Sequence, residues 1–151
     1  MKVFLSTSFS GQINPVSDHI QLEYQAFLEH ILTGVRQAYT GEVYCALEAE
    51  GWELSEEPAE VGVQSDLTKI DESDVLLALI SDKPSAGVQF EIGYAAAKGK
   101  RVIIASGADV PLAYINQGAV SLGLASAITY DTPDSLIQNV VVALNAPADE
   151  V

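Results

Sequence analysis

The 151 residues suffice for one domain with a single core, and 48% apolar against 19% charged residues excludes a disordered chain. A formal net charge of −14, with only seven Lys and Arg, excludes a nucleic-acid backbone or an anionic membrane as partner, because either needs clustered cations. The single cysteine, Cys45, excludes an internal disulfide; with no bilayer-length apolar run and no leader pattern in residues 1–6, a cytoplasmic protein is expected.

Lys2–Ser6 reads as a short apolar strand, followed by a polar loop over Thr7–Ser17 that contains Gly11 and Pro15. Apolar residues at helical spacing, from Ile20 through Tyr24, Leu28 and Ile31 to Val35, predict a helix over Asp18–Tyr39. Glu42–Ala46 reads as a second strand and Glu50–Pro58 as an acidic loop holding Gly51 and Trp52. Ala59–Ile70 predicts a helix. The unbroken apolar run within Asp74–Ile80 marks a strand buried on both faces. Ser85–Lys98 predicts a helix that Gly99 ends in the left-handed capping position, and Arg101–Ala105 the next buried strand. Pro111–Leu122 reads as a helix, Ala127–Tyr130 as a fifth strand and Thr132–Leu144 as a last helix, so that residues 1–145 form one domain and 146–151 an acidic tail.

Alternating strands and helices predict a flavodoxin-like, Rossmann-like three-layer α/β sandwich around a five-stranded parallel sheet with both faces covered. Ligands of such open sheets bind outside the carboxyl ends of the strands, near the switch point of strand order. The chemistry is therefore expected in loops 7–17, 47–58, 81–85 and 106–110.

The stretch from Ser81 to Lys100, SDKPSAGVQFEIGYAAAKGK, carries the most information. Pro84 cannot continue a strand, and Ser85 suits a helix N-cap. Ala86, Gly87 and Val88 then open the helix with unpaired backbone N–H groups and little side-chain bulk, which suits the approach of an anion or simply makes an ordinary capped helix. Glu91 lies on the next turn among Val88, Phe90, Ile92 and Tyr94. A carboxylate among such neighbours is either a functional group kept at a desolvation cost or one member of a solvated stripe. Taken alone, Asp66 reads as a surface helix residue and Asp74 as a turn residue before the strand. In the acidic loop, Trp52 is placed either to stack on a nucleobase or to pack against the end of the sheet, and Glu48 or Glu50 to accept from an exocyclic amine.

The segments VFLSTSFSG, DLTKIDESDVLLALI and PSAGVQFEIGYAAAKGKRVI resemble the nucleoside 2-deoxyribosyltransferase superfamily, which includes N-glycosidases of 2′-deoxynucleoside 5′-monophosphates. The resemblance implies that Glu91 is the nucleophile at the anomeric carbon, that Asp66 helps protonate the departing base, that Ser85 contacts the 5′ end of the sugar, and that Ser8 matches a serine of the phosphate-binding first loop. Ser85 stands where the transferases carry Asp and the nucleotide hydrolases Ser, which favours a 5′-monophosphate. Phe4 stands where the family commonly has a Tyr that holds the nucleophile. Ser10 replaces a first-loop Arg, and Ala113 replaces a Ser or Asn that reaches a neighbouring subunit's sugar, a role for which Asn116 or Tyr114 is the nearest substitute.

The expected activity is cleavage of the N-glycosidic bond of a (deoxy)nucleoside or its 5′-monophosphate through a glycosyl–Glu91 intermediate, resolved by water or by another base. The alternatives are a nucleotide-sensing module without turnover and an NAD-cleaving N-glycosidase. The resemblance also implies a homo-oligomer, a dimer or higher. No cofactor is implied. No metal is expected, because His19 and His30 fall about three turns apart on the first predicted helix and have no third ligand nearby.

Overall fold

The computed structural model describes residues 1–83 and 85–147, with the backbone alone described at Ser10; Pro84 and the acidic tail from 148 onward lie outside the described residues. Strands β1 (Lys2–Thr7), β2 (Glu42–Cys45), β3 (Val75–Ile80), β4 (Arg101–Gly107) and β5 (Ser126–Tyr130) form one sheet in the order β2-β1-β3-β4-β5, and every pairing is parallel. The helices are α1 (Leu22–Ala38), α2 (Ala46–Ala49), α3 (Ala59–Asp71), α4 (Ala86–Ala97), α5 (Tyr114–Ser121) and α6 (Pro133–Asn145). This is the expected doubly wound α/β architecture, and its strand order reverses between β1 and β3. Among the described residues, no helix is long and apolar enough to cross a membrane.

Side chains two apart on a strand share a face, so each central strand feeds two cores. Val3, Leu5, Leu77 and Ile103 pack with Leu28, Ile31, Leu136 and Val140 of α1 and α6. Phe4, Leu76, Ala78 and Ile104 pack with Ile70 of α3 and Val88, Ile92 and Ala95 of α4. That double demand is why β3 and β4 read as continuous apolar runs. Each fully buried Leu, Ile or Val contributes roughly 1.5–3 kcal/mol to the fold. Local chemistry sets the helix ends. The Ser85 Oγ accepts from the Val88 N–H at 3.3 Å at the start of α4, Gly99 takes a φ of +68° after its end, and Thr132 and Ser135 form a reciprocal cap on α6 behind Pro133.

Three boundaries differ from expectation for identifiable reasons. Helix α1 starts at Leu22, not Asp18, because Ile20 bridges to Ile13 and His19 to Glu53, while Asp18 adopts a φ of +51°. His19 is therefore off the helix. Ala46 belongs to α2, a single turn too short to show periodicity. Helix α5 starts only at Tyr114, and Asn116 is its sole fully buried residue. Consequently β5 is covered by α6 on one face, through Ile128 and Tyr130, while Ala127 and Thr129 on the other face are exposed.

Candidate active site

A cavity of about 470 Å³ opens at the carboxyl ends of β1 and β2, a size within the usual range for small-molecule sites of roughly 300–1,000 Å³. Phe4 and Ser6 of β1 form its floor, the 54–58 segment one rim, and α3 and the first turns of α4 its walls. Gly62 and Asp66 are four apart on α3, as are Gly87 and Glu91 on α4, and all four line the cavity. Residues four apart stack on one helical stripe, so each helix presents a small residue beside a carboxylate. Built onto Gly87, a Cβ would meet only the Ser85 Oγ, at 3.8 Å, which leaves open space beside Glu91.

Glu91 projects from α4 while Val88, Ile92 and Ala95 anchor that helix to the sheet. Its Oε2 accepts a 2.5 Å hydrogen bond from the buried Ser6 hydroxyl. Burial pushes the Glu91 carboxyl up to about 7; donation from Ser6 opposes the rise and the negative charge of Asp66 adds to it. Burial also raises Asp66 above the ordinary carboxylate range. Glu50 is raised as well, first by burial and then by the charges of Asp66 and Glu57. Glu50, Glu57, Asp66 and Glu91 line the cavity with no Lys, Arg or His among the described lining residues. The site thus presents carboxyl groups in a largely apolar setting, two of them on facing helices.

Six of the candidate site residues read from the sequence meet here: Glu91, Asp66, Ser85, Gly87, Phe4 and Glu50. Ser8 does not line the cavity: it is buried, and its Oγ lacks a protein partner among the described residues. Trp52 does not line the cavity. Gly51 and Trp52 both take positive φ, and the turn drives the indole into the core shared with α1, on the opposite face of the sheet from Glu91. Asn116 is also elsewhere: it is 1% exposed under α5, its amide unpaired among the described residues, so it does not reach outward to a neighbouring subunit. Tyr114, by contrast, is 92% exposed at the start of α5. Glu48 is taken by Arg36, whose guanidinium donates to both carboxylate oxygens, whereas Glu50 faces the cavity. Sequence reasoning overlooked Ser6 and Glu57. The signal for Ser6 was the two-residue repeat of β1, which puts it on the face of Phe4; nothing local marks Glu57 in an acidic loop. Among the described residues, no three of His, Cys, Asp and Glu converge as an ion would require; His30 pairs with Asp134 at 2.9 Å.

The fold and the site define a flavodoxin-like α/β protein with paired carboxyl groups at its switch point. The sequence profile of the nucleoside 2-deoxyribosyltransferase family matches residues 18–129, and the chain belongs to that family. Among solved structures, the chain is similar to the CMP N-glycosidase BcmB of Clostridium botulinum, with 19% identity, a TM-score of 0.69, and 94% of this chain and 99% of that one covered. It is similar to BlsM at 23% identity, with a TM-score of 0.74 over 99% and 97% of the two chains. A conserved protein of Enterococcus faecalis V583 is 19% identical, with a TM-score of 0.60 over 95% and 98%. At these identities the likeness establishes the fold. No curated protein matches the sequence.

Proposed function

We propose that this chain is an enzyme that cleaves the N-glycosidic bond of a (deoxy)nucleoside or its 5′-monophosphate, with Glu91 as nucleophile and Asp66 as proton donor to the base. The observation that carries the reading is the juxtaposition of the two carboxyl groups, on separate helices, across one largely apolar cavity in which both are held above their ordinary pKa. Breaking the bond builds oxocarbenium character on the sugar, which an ionised carboxylate stabilises and traps. The Glu91 carboxylate bonds to the anomeric carbon as the carbon–nitrogen bond breaks. That bond's electron pair goes to the base, which takes a proton from the Asp66 carboxyl. Water then attacks the same carbon, returns its proton to Asp66 and frees Glu91; a second base in place of water completes a transfer. Glu50 and Glu57 at the rim suit a base that carries exocyclic amines, because ionised carboxylates only accept. The family profile spans both Asp66 and Glu91, and one structural neighbour is itself described as a CMP N-glycosidase.

The protein acts as a homo-oligomer in this reading. Tyr114 and Ile115 of α5 and Leu122 just after it are exposed apolar side chains, which is what an α5 face covered by a second copy would present.

The test is chromatographic detection of free base from nucleosides, deoxynucleosides, their 5′-monophosphates and NAD, with and without an acceptor base. The expected result is release by the wild type and loss of at least 1,000-fold in Glu91→Gln with ligand binding retained, an order of magnitude set by losing a covalent catalyst. Tight nucleotide binding with no release from any compound overturns this in favour of a sensor.

A further inference from the structure

We infer that Ser6 is a positioning residue for the Glu91 carboxylate, holding Oε2 so that the nucleophile is presented ionised and through Oε1. The inference rests on the assignment of Glu91 as nucleophile.

Ser6 is 2% exposed and its backbone is fixed in the β1–β3 ladder opposite Ala78, so its hydroxyl has little freedom and no bulk water to satisfy it. Glu91 comes from a different element, a helix clamped to the sheet by Val88, Ile92 and Ala95. The 2.5 Å hydrogen bond therefore links two rigid supports. Its length belongs to the charge-assisted class, in which a hydroxyl donates to an ionised oxygen at roughly 2.5–2.7 Å. Among the described residues Oε1 has no protein partner, which leaves one oxygen held and the other available to carbon.

The electrostatics make the hydroxyl matter more than one neutral donor ordinarily would. Three groups with a carboxyl share the cavity with Glu91: Asp66 on α3, and Glu50 and Glu57 from the segment between α2 and α3. No cation faces it among the described lining residues. Burial and Asp66 both favour the protonated form of Glu91, and the Ser6 O–H is the one contact that favours the anion. The negative charge of Asp66 adds to the rise in Glu91, so a donor that favours the Glu91 anion acts directly against that neighbour.

The test is Ser6→Ala, with Ser6→Thr as the variant that restores the hydroxyl. Glu91 is titrated by carbon-detected NMR of the side-chain carboxyls, assigned with Glu91→Gln, and the pH profile of kcat/KM for base release is recorded alongside. In Ser6→Ala the Glu91 midpoint is expected to rise by roughly one pH unit, the size expected for losing a hydrogen bond to a charged group. The acid limb of the profile shifts with it, ligand Kd stays within about 2-fold, and Ser6→Thr moves both midpoints back. A Glu91 midpoint unmoved in Ser6→Ala overturns the inference even if the rate falls. A midpoint that shifts while the wild type releases no base from any substrate retains the Ser6–Glu91 coupling and overturns instead the role of Glu91 as nucleophile.

Discussion

Glu91 shows how a buried carboxyl weakens the fold that holds it. Its carboxyl, raised to about 7 by burial, binds a proton more tightly in the folded chain than in the unfolded one, where it titrates near 4.5. Stability from this group is therefore fully present below about pH 4.5, falls as pH rises, and is gone above about pH 7, a loss of at most about 3 kcal/mol. Glu91→Gln removes the penalty. Urea unfolding is expected to show the variant more stable than wild type by about 1–3 kcal/mol at pH 8 and nearly equal at pH 4.5; equal stability at both pH values contradicts a buried, raised carboxyl. With Glu91 as nucleophile, the same ionisation is expected to make base release rise with pH through about 7, read from the acid limb of kcat/KM. The neighbours of Glu91 in the sequence left it either a buried functional group or one of a solvated stripe, and only the family resemblance singled it out; its burial is what the fold adds. The inward course of Trp52 was not legible, because it depends on two successive positive-φ residues and on a backbone bond from the Ile20 N–H to the Trp52 carbonyl, neither of which a local reading supplies.

At the scale of elements, the β3–α4–β4 unit supplies much of both cores and holds the proposed nucleophile. It was also the most legible part, since continuous apolar strands, a Ser cap and a Gly stop all point to one local structure. Helix α2 and the start of α1 were hidden for the opposite reason. A four-residue helix has no period, and residues 18–20 leave the helical pattern only because partners at Ile13 and Glu53 hold them. The cap makes a prediction. Ser85→Ala frees the Val88 N–H and is expected to cost about 1 kcal/mol, lowering Tm by about 2–4 °C in calorimetry. Ile92→Ala, one residue from Glu91 but facing the sheet, is expected to cost about 2–5 kcal/mol through the cavity it leaves. If Ser85→Ala proved as damaging as Ile92→Ala, Ser85 would be a core determinant and not a cap.

At the scale of the molecule, a net charge of −14 meets a cavity whose described lining residues include no cation. An anionic substrate approaches against that field, so kcat/KM for a 5′-monophosphate relative to its nucleoside is expected to rise between 0.01 M and 1 M salt, where the screening length falls from about 30 Å to about 3 Å. A ratio that falls instead would show a local cation binding the phosphate. The apolar surface around Tyr114 predicts a dimer or larger species at micromolar concentration in sedimentation velocity, dissociated by Tyr114→Glu; a wild-type monomer counts against it. The paired helices and their carboxyls reach functional significance only if a sugar passes through Glu91. The most direct measurement is mass spectrometry of acid-quenched protein during turnover, followed by peptide mapping. The account predicts an added sugar mass on the peptide containing Glu91, absent from Glu91→Gln. Base release that persists undiminished in Glu91→Gln, or a sugar attached to a different residue, would contradict it.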